Sequence, residues 1–305
     1  MIIKAPIDLE LTQLSGQTSQ PPWKNVGDSF KQLVLVGGKP AVFDVRQSGE
    51  FLDFNFTGEI SEKEAASKLN YIYDLDFNLD KFYKYLKNHS ELAEMSEFCN
   101  GLRLFLAPNP FECVISSICS ANNSIKRWTK SASDIKEKWG NEYGGFYTFP
   151  SPETLKDAFL DDEEEFEMTN IDDIFKCKNN LKECGVGYRA PYMRKASELF
   201  TLEMDLSEIP EMSYAEAFET ILKVPGVGPK VADCILLYGF NFREAFPSDV
   251  WIKRIVSHLY FDGKDISVSK VREFGMEEFG DNAGYVQLYM FHYARMSGLM
   301  DKLKK

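Results

Sequence analysis

The sequence predicts an α+β fold, in which a small antiparallel β-sheet packs against a large α-helical body. Three short runs near the N-terminus are rich in strand-forming residues and are separated by turns that contain glycine. They lie at 32–36, 41–45 and 51–56. From Ser61 onward apolar residues recur at helical spacing, and Ser61 with Glu64 fits a capping box. We therefore expect a sheet domain with flanking helices over residues 1–100 and a helical domain over residues 101–305.

Helical periodicity continues through the rest of the chain, without an internal repeat. We expect helices near 61–74, 79–88, 90–98, 110–121, 124–139, 152–160, 190–203, 213–223, 229–239, 249–260, 267–278 and 283–298. A second capping box, Ser213 with Glu216, marks the start of one of these helices.

The composition allows a large core and predicts an intracellular protein. Of the 305 residues, 44% are hydrophobic and 14% are aromatic. No run of about 18 apolar residues occurs, so we expect no membrane span. Lys4, Asp8 and Glu10 interrupt the N-terminal apolar residues, so we expect no signal peptide. The cysteines lack CxxC spacing and are expected to be reduced thiols. They are Cys99, Cys113, Cys119, Cys177, Cys184 and Cys234.

A turn rich in proline and glycine between two helices is the most informative stretch of the sequence. Residues 222–230 are LKVPGVGPK, in which Pro225 and Gly226 break the preceding helix. Pro229 takes the position at which a new helix tolerates proline best. The N–H groups at the start of that helix would attract phosphate. Residues 213–240 therefore resemble the helix-hairpin-helix DNA-binding element, although an ordinary turn between helices would have the same shape.

The charge distribution favours DNA binding by the C-terminal part of the chain. The formal net charge is −12. Residues 221–305 contain 12 Lys and Arg against 10 Asp and Glu, a net charge of +2, which leaves −14 for residues 1–220. The acidic excess includes DDEEE at 161–165, which we expect to be a solvated loop or helix end. Binding away from a specific site should be weak and sensitive to salt.

Three further segments contain residues suited to chemistry or to nucleic-acid contact. Residues 109–127, NPFECVISSICSANNSIKR, form a buried-looking helix that ends in paired asparagines before a basic segment. GVGYRAPY, at 185–192, would present an aromatic ring and an arginine to a nucleobase. FPSDVWIKRI places Asp249 nineteen residues after Lys230. Taken alone, the first segment could be a helix that is simply capped by asparagine. The second could be a glycine turn before a helix, with an incidental aromatic residue.

Together with LKVPGVGPKVADC, these segments resemble the 8-oxoguanine DNA glycosylase family of helix-hairpin-helix glycosylases. They match the landmarks of that family in order and in spacing, over about residues 100–295. Before that region the resemblance depends on LSGQ at 14–17 and on Trp23. The family has a sheet domain before its helical glycosylase domain, which agrees with the fold class predicted above.

The resemblance implies a catalytic pair and a pocket for an extruded base. Lys230 would attack the sugar, and Asp249 would assist. The pocket would be lined by Gly16, Cys234, Gln287 and Phe291. Gln287 would bond the Watson–Crick edge, Phe291 would stack on the base, and the Gly16 carbonyl would accept the extra N7–H of the oxidised base. Without the resemblance, Gln287 would be an ordinary helix residue and Phe291 a core residue.

The resemblance also implies how DNA is held. Four residues would fill the gap left by the extruded base and hold the orphaned cytosine: Asn122, Arg127, Tyr188 and Arg189. The turn glycines, Gly226 and Gly228, would lie against the DNA backbone. A monovalent or divalent cation would bind the backbone carbonyls of Leu222, Val224 and Val227. No other cofactor is required, and the four-cysteine iron–sulfur loop of endonuclease III-like enzymes is absent.

The sequence departs from the family at two places. Trp251 stands where eukaryotic members have a phosphate-binding histidine. The assignment of Gly16 requires an insert, TSQPP, at 18–22.

These residues predict base-excision repair of damaged duplex DNA by a monomeric enzyme. A damaged base inside a duplex is unreachable, so the nucleotide must be extruded. An amine that attacks C1′ gives a Schiff base, which can eliminate the 3′ phosphate. The helix N-terminus is expected to keep the Lys230 amine partly neutral, as the attack requires. We expect removal of 8-oxoguanine opposite cytosine and strand cleavage by β-elimination, in the cytoplasm, nucleoid or nucleus.

Two alternatives remain open. One is a related glycosylase for alkylated or pyrimidine damage, and the residues that read the base, Gln287 and Phe291, would distinguish it from an 8-oxoguanine enzyme. A helix-hairpin-helix module that binds DNA without cutting it would use Lys230 for a phosphate contact and would gain nothing from Asp249.

Overall fold

The computed structural model describes residues 1–158 and 180–299. Within these residues the chain has the predicted α+β fold, with a five-stranded antiparallel sheet that precedes a helical body. Three sequence predictions lie outside the described residues: the acidic loop at 161–165, the reduced thiol of Cys177 and the end of the helix near 152–160.

The sheet contains the three predicted strands and two more. Its strands are β1 (Ile2–Lys4), β2 (Lys24–Val26), β3 (Ser29–Val36), β4 (Lys39–Ser48) and β5 (Phe51–Gly58). Their order is β1-β5-β4-β3-β2, and all neighbours are antiparallel. The two strands that the sequence analysis missed, β1 and β2, have three residues each, which is too short for alternation to be recognised.

Aromatic side chains attach the sheet to the helical body. Phe43 and Phe54 are fully buried, and their ring centroids lie 4.9 Å apart. The Trp23 ring lies 5.6 Å from that of Tyr73, which lies 5.5 Å from that of Phe105. Each such pair contributes about 0.5–1.5 kcal/mol beyond the burial of its area. These rings therefore fix the position of the N-terminal segment relative to the helices.

Thirteen α-helices lie within the described residues. They are α1 (Leu9–Leu14), α2 (Glu62–Ile72), α3 (Leu79–Lys87), α4 (Met95–Phe98), α5 (Pro110–Ser120), α6 (Ile125–Trp139), α7 (Pro152–Lys156), α8 (Ala190–Leu202), α9 (Tyr214–Ile221), α10 (Pro229–Phe240), α11 (Val250–Tyr260), α12 (Val268–Phe279) and α13 (Ala283–Met296). A hairpin of β6 (Glu142–Tyr143) and β7 (Phe146–Tyr147) follows α6. None of these helices is long and apolar enough to cross a membrane.

The helix prediction is wrong over most of the run 90–98 and missed α1. Only α4 forms in that run, because the preceding residues make turns with i to i+3 bonds, such as the 2.9 Å bond from the Leu92 N–H to the His89 carbonyl. Helix α1 is short and begins at Asp8, whose carboxylate accepts from the Leu11 N–H at 2.8 Å.

Both predicted capping boxes are confirmed. The Glu64 N–H donates to Ser61 Oγ at 3.3 Å, and the Ser61 N–H donates to the Glu64 carboxylate at 2.8 Å. Ser213 and Glu216 repeat this arrangement at the start of α9. Hydrogen bonds from the serines lower the pKa of Glu64 and of Glu216.

Helix α10 lies at the centre of the helical body. Its residues 231–239 are all buried. Asp233 in this stretch is fully buried and forms an ion pair with Arg272 of α12 at 2.6 Å. The Tyr214 hydroxyl of α9 hydrogen-bonds both side chains. This buried polar cluster fixes α10 against both neighbouring helices and so determines which way its first turn faces.

Candidate active site

A cavity of about 730 Å³ opens beside the first turn of α10. Its walls come from the loop after α1, the turn between α5 and α6, the start of α11 and the middle of α13. Seven residues assigned from the sequence line it: Gly16, Asn122, Lys230, Cys234, Asp249, Gln287 and Phe291. The fold thus brings the whole predicted catalytic pair and base pocket to one place.

Lys230 lies in the first turn of α10, two residues after its N-cap Gly228, and is half-buried. Its amine hydrogen-bonds the Cys234 side chain, one helical turn further on, and is close enough to Asp249 for electrostatic interaction. Burial lowers the pKa of Lys230, but Cys234 and Asp249 raise it, and the pKa is raised overall. The shift is therefore opposite in direction to the one expected from the helix N-terminus.

Asp249 is the N-cap of α11. Its Oδ1 accepts from the Trp251 N–H at 2.8 Å and from the Ile252 N–H at 2.9 Å. These bonds satisfy N–H groups that the helix itself cannot pair, and they hold the carboxylate at the edge of the cavity. Both use Oδ1, so the cap fixes the carboxylate without engaging Oδ2.

Helix α13 presents a buried amide and an aromatic ring to the cavity. Gln287 on α13 is only 5% exposed, and its Nε2 donates to the Pro247 carbonyl at 3.0 Å. Its Oε1 is buried and has no partner among the described residues. An unsatisfied buried oxygen costs about 1–3 kcal/mol unless a ligand supplies a donor. Phe291 lies one turn further along α13 and is half-buried. Cys234 lines the same cavity from α10.

Gly16 occupies a site that no other residue could fill without strain. Its φ is +86°, and a Cβ there would lie less than 3.0 Å from Ile125 Cδ1 and 3.0 Å from Arg295 Nη1. The neighbouring Gln17 is anchored in the core, since its Nε2 donates to the Arg103 carbonyl at 2.9 Å and its Oε1 accepts from the Phe105 N–H at 2.8 Å. The loop therefore forms a fixed wall of the cavity.

The insert at 18–22, which the Gly16 assignment requires, is largely part of the core. Thr18, Ser19 and Gln20 are buried. Gln20 Nε2 donates to the Leu106 carbonyl at 3.0 Å, while its Oε1 accepts from Trp23 Nε1 at 2.9 Å. Four of the five inserted residues, 18–21, are thus buried, and Gly16 still lines the cavity beside Gln17 and Thr18.

Arg295 is a cavity residue that the sequence analysis missed. Its Nη1 donates to the Ser15 carbonyl at 2.6 Å, and its guanidinium carbon lies 5.3 Å from the centroid of the Phe291 ring. Its spacing of four residues from Phe291 on one helix was the available signal. Trp251, which stands at the position of the family's histidine, is 37% exposed and also lines the cavity.

Three of the four residues assigned to the DNA gap are exposed, and the fourth is not. Asn122 is exposed at the turn between α5 and α6 with φ +49°, and Arg127 is exposed on the first turn of α6. Tyr188 is 60% exposed. Arg189 is only 7% exposed, so the expected outward presentation of this arginine is wrong for the DNA-free chain.

The Arg189 guanidinium donates hydrogen bonds to backbone carbonyls of the Asn122 turn. Its Nε donates to the Ala121 carbonyl at 2.8 Å, and its Nη2 donates to the same oxygen and to the Asn122 carbonyl, the latter at 3.1 Å. Its Nη1 donates to the Val186 carbonyl at 3.2 Å. The Tyr188 ring lies over the guanidinium, 4.4 Å from its carbon. Arg189 therefore links the Asn122 turn to the segment at 186–189 by hydrogen bonds.

The hairpin between α9 and α10 presents its turn to solvent. Gly226 has φ +82°, and a Cβ there would lie 2.8 Å from Tyr192 Cβ, so the turn packs closely on α8. Gly228 is exposed, and a Cβ there would meet no atom within 4 Å. The Val227 N–H donates to the Val224 carbonyl at 3.1 Å. The start of α10 is thus open to an anion.

Cysteine and metal chemistry is limited in the described part of the chain. Its five cysteines are buried and unpaired, and burial raises the pKa of Cys234. Within the same residues no group of three or more His, Cys, Asp or Glu could hold a metal ion.

Two family profiles match consecutive parts of the chain. The family described as 8-oxoguanine DNA glycosylase, N-terminal domain, matches residues 1–114. The HhH-GPD superfamily of base excision DNA repair proteins matches residues 115–280. The chain is also 47% identical to the probable N-glycosylase/DNA lyase of Methanothermobacter thermautotrophicus, over 98% of this chain and 96% of that protein.

Solved structures show the same similarity in three dimensions. The 8-oxoguanine glycosylase/lyase of Clostridium acetobutylicum, in complex with duplex DNA that contains cytosine opposite 8-oxoguanine, is 29% identical with a TM-score of 0.78, covering 98% of each chain. MBOgg1 in complex with a low-affinity DNA ligand is also 29% identical, with a TM-score of 0.80, covering 97% of this chain and 96% of that one.

Proposed function

The chain belongs to the 8-oxoguanine DNA glycosylase family, and we propose that it excises 8-oxoguanine opposite cytosine from duplex DNA. As a member of this family it is a bifunctional N-glycosylase and DNA lyase of base-excision repair. One observation supports the proposal most strongly: the amine of Lys230, the capped carboxylate of Asp249 and a pocket for a base share one cavity.

Lys230 performs the covalent steps. Its neutral amine attacks C1′ of the extruded nucleotide, and the N-glycosidic bond breaks as the base leaves with the bonding electrons and takes up a proton. The Asp249 carboxylate stabilises the positive charge that develops on the sugar. The C1′–O4′ bond of the adduct then breaks, O4′ takes up a proton that the lysine nitrogen loses, and an iminium ion forms between Lys230 and C1′. Loss of a proton from C2′ then breaks the C3′–O bond and expels the 3′ phosphate.

The pocket reads the base by hydrogen bonds and by stacking. The buried Gln287 Oε1 accepts from the Watson–Crick edge of the purine, which supplies the donor this atom otherwise lacks. The Gly16 carbonyl accepts the N7–H, which 8-oxoguanine has and guanine does not. Phe291 stacks on the base opposite Cys234, a contact worth about 1–3 kcal/mol.

Arg127 and Arg189, which lie next to the Asn122 turn, hold the orphaned cytosine. Arg127 is exposed and donates to the acceptor edge of cytosine, which adenine does not offer in the same geometry. Arg189 reaches that edge only after leaving the carbonyls of Ala121 and Asn122. Its contribution therefore requires rearrangement of the turn, whereas that of Arg127 does not.

The hairpin binds the phosphate backbone and provides oxygen donors for a cation. Gly226 and Gly228 lie against phosphate at the N-terminus of α10. The carbonyl groups of Leu222, Val224 and Val227 provide uncharged oxygen donors, which suit a hard cation placed between protein and phosphate. The Val224 carbonyl also accepts from the Val227 N–H at 3.1 Å, and a carbonyl oxygen has a second lone pair that a cation could use.

Borohydride trapping tests the proposal directly. The wild-type protein, incubated with an 8-oxoguanine·cytosine duplex and borohydride, should form a reduced covalent adduct with DNA. Lys230→Gln keeps a long polar side chain but lacks the amine, so trapping and strand cleavage should vanish while lesion binding survives.

The alternatives give different outcomes in the same experiment. Trapping on duplexes with alkylated or pyrimidine damage, and none with 8-oxoguanine, would identify a glycosylase for another lesion. No adduct with any lesion, together with weaker binding of Lys230→Gln to every sequence and a salt slope lower by about one, would identify a binding module.

A further inference from the structure

Arg295 connects two walls of the base pocket, and the roles proposed above leave it without a function. Its Nη1 donates to the Ser15 carbonyl at 2.6 Å, immediately before Gly16. Its guanidinium carbon lies 5.3 Å from the centroid of the Phe291 ring, and the side chain is half-buried in the cavity wall. One side chain therefore contacts both the loop that accepts the N7–H and the ring that stacks on the base.

The Gly16 loop needs such a restraint. Glycine has more backbone freedom than any other residue, so the direction of its carbonyl depends on the peptides on either side. Gln17 fixes the following peptide through its bonds to Arg103 and Phe105. Arg295 fixes the preceding peptide from α13. The Gly16 carbonyl is thus held from both sides.

We infer that Arg295 is a positioning residue that holds the Gly16 carbonyl at the distance from Phe291 that favours 8-oxoguanine over guanine. The inference rests on the proposed function. Guanine presents an N7 lone pair, which a fixed carbonyl repels, whereas 8-oxoguanine presents an N–H, which it binds. A carbonyl that can rotate away neither binds the one nor repels the other, so discrimination falls.

The geometry distinguishes this role from a simple phosphate contact. A guanidinium that lies over a ring and donates to a carbonyl uses two features of arginine together, which lysine reproduces only in part. A phosphate contact would instead add affinity for every duplex and increase the salt dependence of binding. Equilibrium binding therefore separates the two roles.

The experiment measures binding by proteins that all carry Lys230→Gln, so that no covalent adduct forms. Arg295→Met keeps an unbranched apolar side chain and removes the donors and the charge, while Arg295→Lys keeps the charge and a single donor nitrogen. Met296→Ala, at the exposed next residue, is the matched control. Dissociation constants are measured for duplexes that contain 8-oxoguanine, guanine or an abasic site opposite cytosine, together with melting temperatures.

Arg295→Met should lower the preference for 8-oxoguanine over guanine by about tenfold, the factor expected for one hydrogen bond. Binding of the abasic duplex should stay within about twofold of the parent, and Met296→Ala should keep the parent's preference. Arg295→Lys should recover part of the preference, because it can still donate to Ser15.

Three outcomes would overturn the inference. An unchanged preference in Arg295→Met would do so, whether or not the melting temperature falls. Equal losses on all three duplexes with a shallower salt dependence would assign Arg295 to phosphate. A parent protein without any preference for 8-oxoguanine would overturn the proposed function, and the inference with it.

Discussion

Replacing Gly16 with alanine tests whether its loop forms a wall of the base pocket. The backbone at Gly16 has φ +86°, a conformation in which a Cβ costs about 1–2 kcal/mol. The new Cβ would also lie less than 3.0 Å from Ile125 Cδ1, the end of a side chain that can shift, so overpacking adds at most about 1–3 kcal/mol. We expect Gly16→Ala to lower the free energy of unfolding by about 1–5 kcal/mol and to slow release of 8-oxoguanine.

Two further variants separate the contributions to this effect. Gly27 has φ +69°, and a Cβ there would meet no atom within 4 Å. Gly27→Ala should therefore lower the free energy of unfolding only by the cost of a Cβ at positive φ, about 1–2 kcal/mol. It should release the base at the wild-type rate. Ile125→Val removes the Cδ1 atom. Combined with Gly16→Ala, it should recover most of the overpacking share, which a double-mutant cycle would show as coupling.

Urea unfolding gives the stability of each variant, and single-turnover release from an 8-oxoguanine·cytosine duplex gives the rate. Equal losses of unfolding free energy in Gly16→Ala and Gly27→Ala, together with base release by Gly16→Ala at the wild-type rate, would contradict this prediction. In that case the loop does not lie against Ile125, and Gly16 is not part of the pocket.

Four further outcomes follow from the site. Asp249→Asn should slow base release by orders of magnitude with little change in melting temperature, since asparagine also caps helices well; an unchanged rate would remove Asp249 from catalysis. The raised pKa of Lys230 keeps the amine protonated at lower pH, so trapping on a preformed abasic site should rise with pH, and Asp249→Asn should shift that profile to lower pH. A flat profile would contradict this. Phe291→Ala should lose about 1–3 kcal/mol of base contact while it still binds an abasic duplex; a loss of melting temperature alone would indicate a core role. Arg127→Ala should reduce discrimination between cytosine and adenine opposite the lesion, and equal losses for all four opposite bases would contradict that role.

Local signals in the sequence were sufficient for much of the fold. The capping boxes at Ser61 and Ser213 depend on residues three positions apart, so their chemistry is visible without any tertiary contact. The same is true of the turn at Gly226, where a positive φ agrees with a break predicted from proline and glycine. Strands β1 and β2 are different, because three residues become a strand only when a neighbouring strand pairs with them.

The orientation of long side chains could not be predicted in the same way. The sequence places Arg189 beside an exposed tyrosine after a glycine turn, and both were expected to face DNA. In the structure the donors of Arg189 bond carbonyls of residues 121, 122 and 186. The two carbonyls of the Asn122 turn are more than sixty residues away in sequence. An arginine with five donors takes whichever acceptors the fold places nearby, and sequence spacing contains no information on them.

The charge of Lys230 depends on the same kind of contact. Its place at the start of α10 suggested a lowered pKa, because the N–H groups there disfavour a cation. The helix also brings the Cys234 side chain, one turn after Lys230, onto the same face, and the fold brings the carboxylate of Asp249 to the same cavity. Both raise the pKa of Lys230 against the effect of burial. The direction of the Lys230 pKa shift is therefore set in part by a tertiary contact that its position in the sequence does not show.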